Sequence, residues 1–126
     1  MSYTAPVYVW NNMADGKKID SITVGYEHLF DGSGEDRRTR TVENLPHGLD
    51  GKVYLYDVKY RTGPLSEDEC DWTITFFAGG KSYTGRERFR CKLSPDDAGK
   101  DVLIGLSAEG FHIGLGSSGG CDGPVE

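Results

Sequence analysis

A chain of 126 residues that is 37% hydrophobic and 27% charged has the length and balance of one soluble globular domain, spanning 1–126. Its net charge of −6 opposes binding to nucleic-acid phosphates or anionic lipid, because either demands a surplus of Lys and Arg. No run of about 18 apolar residues is present, and the opening MSYTAPVYVWNN lacks the basic start and apolar stretch of a signal peptide. A cytoplasmic location with no transmembrane segment is the expectation.

No segment sustains a 3.6-residue apolar period. Apolar and polar residues instead alternate between clusters of Gly, Asp and Pro, which predicts an all-β protein of about eight strands. The first, 5–11, carries Val7 and Val9 on one face and Tyr8 and Trp10 on the other; a strand apolar on both faces needs two covers. The second, 18–30, sets Ile22, Val24, Tyr26, His28 and Phe30 against Ser21, Thr23, Gly25 and Glu27, so it is half buried. The loop DGSGED at 31–36 reads as a hairpin connection kept soluble by charge. A calcium loop starting at Asp31 would need Glu at its twelfth position, where Val42 stands. The third strand, 37–44, includes part of the basic cluster EDRRTR (35–40), whose acidic preface favours a charged edge strand over a phosphate site. Beyond the turn LPHGLDG, the fourth, 52–61, gathers Tyr54, Tyr56, Val58 and Tyr60 on one face, and Val53 and Leu55 make its start apolar on both.

Strands five and six, 71–78 and 81–93, lie within CDWTITFFAGGKSYTGRERFRC at 70–91. A two-residue Gly79-Gly80 turn opposes Phe76 to Tyr83, Ile74 to Gly85, Trp72 to Glu87 and Cys70 to Phe89. A four-residue loop shifts the pairing by two and opposes Cys70 to Cys91. Either register leaves Cys70, Trp72, Ile74, Phe76, Tyr83, Phe89 and Cys91 on one side, the core side, where each aromatic contributes ~2–3 kcal/mol of burial before entropy. Three cysteines is an odd number, which argues for free buried thiols; a Cys70–Cys91 bridge is geometrically possible only under oxidation. SPDDAGK at 94–100 offers one helical turn, with Ser94 as cap, Pro95 first and Gly99 terminating. Strands 101–107 and 110–115 complete the set, and 114–126 reads as a Gly-rich C-terminal tail.

Chemical motifs are sparse. GLGSSG at 114–119 matches the dinucleotide fingerprint G-x-G-x-x-G by letters, but only GCDGPVE follows, and the fingerprint requires a helix and a later acid. GSSGG at 116–120 matches the nucleophile elbow G-x-S-x-G without its strand–turn–helix setting. The three histidines have no metal-ligand spacing: His28 reads as a core residue, His47 as exposed in its turn, and His112 as pointing outward between Phe111 and Ile113. No cofactor and no metal is expected. A hydrolase would need a loop-built constellation such as Ser66, His47 and Asp50.

The pattern predicts an antiparallel β-sandwich of Greek-key or jelly-roll type. In order along the chain, VYVWNN, IDSITVGYEHLF, VENLPHGLDGKV, VKYRTG, DWTITFFAGGKSY and CKLSPDDAGKDVLIGL resemble a family of small cytosolic β-sandwich proteins of nematodes, fungi and bacteria. Its founding members were named for upregulation in long-lived insulin-receptor mutants. The resemblance implies a jelly-roll-like sandwich, dimerising members and no assigned catalysis; the architecture is also similar to that of the aegerolysins, which recognise sphingolipid-containing membranes. The leading expectation is a non-enzymatic interaction module, a homo-oligomer or the partner of a related paralogue, with Tyr3, Tyr8 and Trp10 as interface. The alternatives are recognition of a zwitterionic sphingolipid, another neutral lipid or a sugar by Phe30, His47 and Tyr60, and a hydrolase with a loop-built site.

Overall fold

The computed structural model describes residues 2–14, 16–30, 34–61, 70–85, 89–91, 93, 95–115 and 120–125, without the side chains of residues 2, 29, 30, 35, 61 and 95. Ten strands lie among them: β1 (Ser2–Asn11), β2 (Ile19–Phe30), β3 (Gly34–Leu45), β4 (Gly48–Arg61), β5 (Cys70–Ala78), β6 (Lys81–Thr84), β7 (Phe89–Arg90), β8 (Val102–Leu106), β9 (Gly110–Gly114) and β10 (Cys121–Pro124). A 3-10 turn over Pro95–Asp97 occupies the place expected for a helical turn. Sheet I has the order β10-β9-β8-β1-β4; sheet II has the order β3-β2-β5-β6, with β7 also pairing β5. Every ladder is antiparallel except β1 with β8, which runs parallel.

The alternation read from the sequence sets what is buried. Val7 and Val9 of β1, Ile22, Val24 and Tyr26 of β2, Tyr56, Val58 and Tyr60 of β4, Trp72, Ile74 and Phe76 of β5 and Val102, Ile104 and Leu106 of β8 meet in one core between the sheets. Tyr54 departs from its expected face. It is 42% exposed, because the β1–β4 register shifts between Val7 and Tyr8; such a bulge turns the following side chains over. Asn11, fully buried, acts as a latch: its amide donates to the Lys17 and Leu45 carbonyls at 2.6 and 3.1 Å and its Oδ1 accepts from Met13 N at 2.9 Å.

The aromatic hairpin uses both predicted registers. Gly79 and Gly80 have φ of 60° and 79°, as a two-residue primed turn requires, and Phe76 opposes Tyr83. Further along, Trp72 opposes Phe89 and Cys91 N donates to Cys70 O at 3.1 Å. The pairing of β7 with β5 is therefore offset by two residues from that of β6 with β5; residues 86–88 of the expected strand 81–93 lie outside the described residues. Trp72 and Phe76 are fully buried; Phe89 packs edge-on against Phe111 of sheet I at 4.9 Å.

Both lateral openings of the sandwich are bridged. On one side, Arg40 of β3 donates to the Tyr54 carbonyl at 2.6 Å, the Asp36 carboxylate accepts from Lys59 N at 2.9 Å, and Tyr26 OH donates to Lys59 O at 2.9 Å. The charged edge expected at EDRRTR thus spends part of its charge on the neighbouring sheet. On the other side, Gly85 pairs with Val125 and Cys91 is bonded to Cys121.

That bond corrects two expectations. The cysteines are not all free, and the oxidised pair is not Cys70–Cys91. Cys70 takes no part in a disulfide and is buried beside His28 with Sγ 3.5 Å from Nδ1. Part of the C-terminal segment is also no loose tail: residues 121–124 form β10 against β9, and this return brings Cys121 to Cys91. Residues 116–119, which carry most of the GLGSSG and GSSGG motifs, lie outside the described residues, as do Asp31 and Ser66.

Candidate functional site

The sequence-derived candidates separate once placed. Tyr3 has the same parity as Ala5, Val7 and Val9; it leans on the core, its ring 5.6 Å from that of Tyr60. Tyr8 and Trp10 have the opposite parity and stand on the outer face of sheet I. The trio Phe30, His47 and Tyr60 does not converge. Tyr60 is fully buried, and the side chain of Phe30 lies outside the described residues. The β2–β3 ladder runs from the Ile19–Leu45 pair to the Phe30–Gly34 pair, so Phe30 and His47 are set at opposite ends of a ladder roughly 36 Å long. Of the suggested hydrolytic set, His47 and Asp50 are exposed.

Two groupings invisible to sequence reading emerge. The first is a buried cross-strand row, Asp36–His28–Cys70, set by the pairing of β2 with β3 and β5. Thiol, imidazole and carboxylate in line suggest nucleophilic chemistry, but the three residues are only 6%, 0% and 2% exposed. Asp36 is taken up by Arg38 at 3.0 Å and by Lys59 N. Tyr26 OH contacts Cys70 Sγ at 3.7 Å, and burial pushes the Tyr26 phenol far above its usual range, with Cys70 as the next cause. These groups form a closed network inside the core, and a thiol sealed from solvent is chemically inert.

The second grouping is the outer face of sheet I. One row crosses β4, β1 and β8 through Tyr54, Tyr8 and Leu103. The two tyrosine rings meet edge-on at 5.6 Å, and Lys52 Nζ lies 5.1 Å from the Tyr8 ring centre. Next to this row the face sinks into a cleft of about 620 Å³ lined by Trp10, Gly105, Glu109, His112 and Asp122, among others. Gly105 makes room for the indole: a Cβ there would approach Nε1, Cε2 and Cζ2 of Trp10 to 2.9–3.1 Å. Gly110 and Gly123 allow β9 and β10 to close up, since a side chain on either would strike the Gly123 carbonyl or the Phe111 ring.

At the cleft's far wall His112 Nδ1 lies 2.6 Å from Asp122 Oδ1. His112 is exposed as its alternation predicted, but its partner was hidden, because only the formation of β10 places Asp122 opposite it. A histidine oriented by a carboxylate is half of an acid–base relay. The described cleft hydroxyl, Ser107, donates instead to the Gly110 carbonyl at 3.0 Å. Among the described residues no group of three His, Cys, Asp or Glu side chains gathers to hold a metal, and no helix is long and apolar enough to cross a membrane. No protein-family model matches the chain, and no curated protein matches it.

Proposed function

We propose that this chain is a non-enzymatic interaction module that self-associates through the outer face of sheet I, with Tyr8, Tyr54 and Leu103 at the contact. The observation that carries the reading is the Tyr54–Tyr8 pair, one ring 42% exposed, set on the outer face of the β1–β4 ladder. Exposed aromatics in contact with one another favour a flat apolar partner, and a two-fold axis lets the same strip cover itself. Strand addition is the less suitable mode, because β3 and β4 are joined by side-chain hydrogen bonds and β10 is tied to the β7 side by the disulfide. The strip is short, so the contact is reversible and at the small end of interface sizes.

Light scattering tests this. The wild-type mass should be that of a dimer and fall on dilution, and Tyr8→Glu with Tyr54→Glu should give a monomer with an unchanged β-sheet spectrum. A wild type that is monomeric at its highest soluble concentration, or a double variant that keeps the dimer mass, rejects the surface.

A further inference from the structure

We propose that the cleft beside this strip is a binding site for a neutral sugar ring, stacked on Trp10 and held at its hydroxyls by Asn12, Glu109, His112 and Asp122. The proposal goes beyond association and does not rest on it, since Tyr8 and Tyr54 are not among the residues that line the cleft.

Four features of the cleft select the ligand. Its size, about 620 Å³, is within the range of small-molecule sites and suits one or two rings. Its platform is a single half-buried indole held against Gly105. The apolar face of a pyranose stacks on one such ring, whereas a quaternary ammonium is held by aromatic rings on several sides. The opposite wall is polar and reachable: His112 and Asp122 side chains are 48% and 84% exposed, so their remaining lone pairs and ring nitrogen face water that hydroxyl groups can replace. Asp122 occupies Nδ1 of His112, which leaves Nε2 as the nitrogen a ligand meets. Finally, the described lining carries Glu109 and Asp122 and neither Lys nor Arg, which disfavours phosphates, sulfates and uronic acids by like-charge repulsion.

A further property makes the site easy to watch. The chain has two tryptophans, and Trp72 is fully buried in the core. A fluorescence change on adding a cleft ligand therefore reports Trp10.

The experiment titrates the full chain with methyl glycosides of glucose, mannose and galactose, with N-acetylglucosamine, and with glucuronic acid, choline and inorganic phosphate as contrasts. At least one neutral sugar should bind in the millimolar range expected for a ligand of this size and change the emission, while glucuronic acid binds at least several-fold more weakly than glucose. Trp10→Ala should weaken binding roughly tenfold and abolish the emission change, Trp10→Phe should keep part of the affinity, and Asp122→Asn should weaken it roughly fivefold. Tyr8→Glu with Tyr54→Glu should bind the sugar as the wild type does, which separates this site from the association surface. An unchanged far-ultraviolet β-sheet spectrum of each variant certifies the fold. The proposal is overturned if no neutral sugar in the panel or on a glycan array binds, if choline or phosphate binds in preference, or if Trp10→Ala binds as tightly as the wild type.

Discussion

Removing the Cys91–Cys121 bond should cost the fold about 3.6 kcal/mol. The two cysteines are 30 residues apart, and the chain-entropy relation for a closed loop of that length gives about 12 cal/mol/K of unfolded-state entropy removed by the cross-link. For a domain of 126 residues, with an unfolding entropy of about 2.1 cal/mol/K per residue, that stability corresponds to a fall in Tm of about 14 °C. Urea titrations of the oxidised and reduced protein, and of Cys121→Ser, measure it directly. The pairing is checked by Cys70→Ser: it should retain the full difference between oxidised and reduced forms, because Cys70 takes no part in the disulfide. Loss of that difference in Cys70→Ser, or a wild-type difference below about 1 kcal/mol, would refute the reasoning that the return of β10 is held by this bond.

Two further predictions concern the core and the β3–β4 side. Asp36→Ala should destabilise the protein by about 2 kcal/mol in the same titration, because the buried carboxylate is the acceptor for Lys59 N and for Arg38, and charge-assisted hydrogen bonds of this kind contribute roughly 1.5–3 kcal/mol. Alkali should unfold the chain. Burial, with Asp97 as the next cause, pushes the Tyr60 phenol up to about 12, and burial raises Tyr26 and Tyr56 further. An unfolded tyrosine ionises near about 10, so these groups leave stability untouched below that pH. They withdraw it as pH climbs from there toward the folded values, because the unfolded chain sheds protons first. Tyrosinate absorbance should rise together with loss of the near-ultraviolet circular dichroism; phenols that titrate near pH 10 in the intact fold would contradict their burial.

How much of this could be seen in the sequence follows from the range over which each feature is decided. Parity is local, so the inward faces of β2 and β5 and the outward His112 were readable from alternation alone. The Gly79-Gly80 turn was readable because positive φ at two successive positions leaves few residue choices. The shift of register between Tyr83 and Phe89 was not, since both pairings bury the same side chains. Tyr54 was misplaced because a bulge on the β1–β4 ladder is invisible to a strict two-residue period. The fragment CDGPV has glycine and proline where strand propensity asks for branched residues, and it reads as loop. It forms β10 because it is an edge strand, where proline is tolerated, and because Cys121 ties it down. The cleft inherits that blindness: Trp10, Gly105, His112 and Asp122 come from four strands, and the last pair meets only after β10 has docked.

The two outer faces differ in a way that motivates placing the proposed recognition surfaces on sheet I. On sheet II, β3, β2, β5 and β6 align Thr41, Thr23, Thr75 and Thr84 in one row, and β3, β2, β5 and β7 align Arg37, Glu27, Asp71 and Arg90 in another. Hydroxyls there satisfy one another, as in the 2.8 Å Thr23–Thr41 contact, and Glu27 and Asp71 each have an arginine at 3.7 Å. Phe77 is the one large apolar side chain exposed on that face among the described residues. Asp71 Oδ1 is buried with no hydrogen-bond partner among the described residues, but a surface whose acids sit beside arginines and whose hydroxyls bond one another gives up solvent at a cost and returns little. Sheet I has the opposite balance, with adjoining tyrosines, an indole resting on a glycine and an acid–histidine pair open to solvent. The bridges along both sides of the sandwich disfavour pairing through the β3, β4 and β10 edges, and the outer face of sheet I sets the Tyr8–Tyr54 pair near the His112–Asp122 pair, which is why the proposed contact and the proposed ligand site are both placed there.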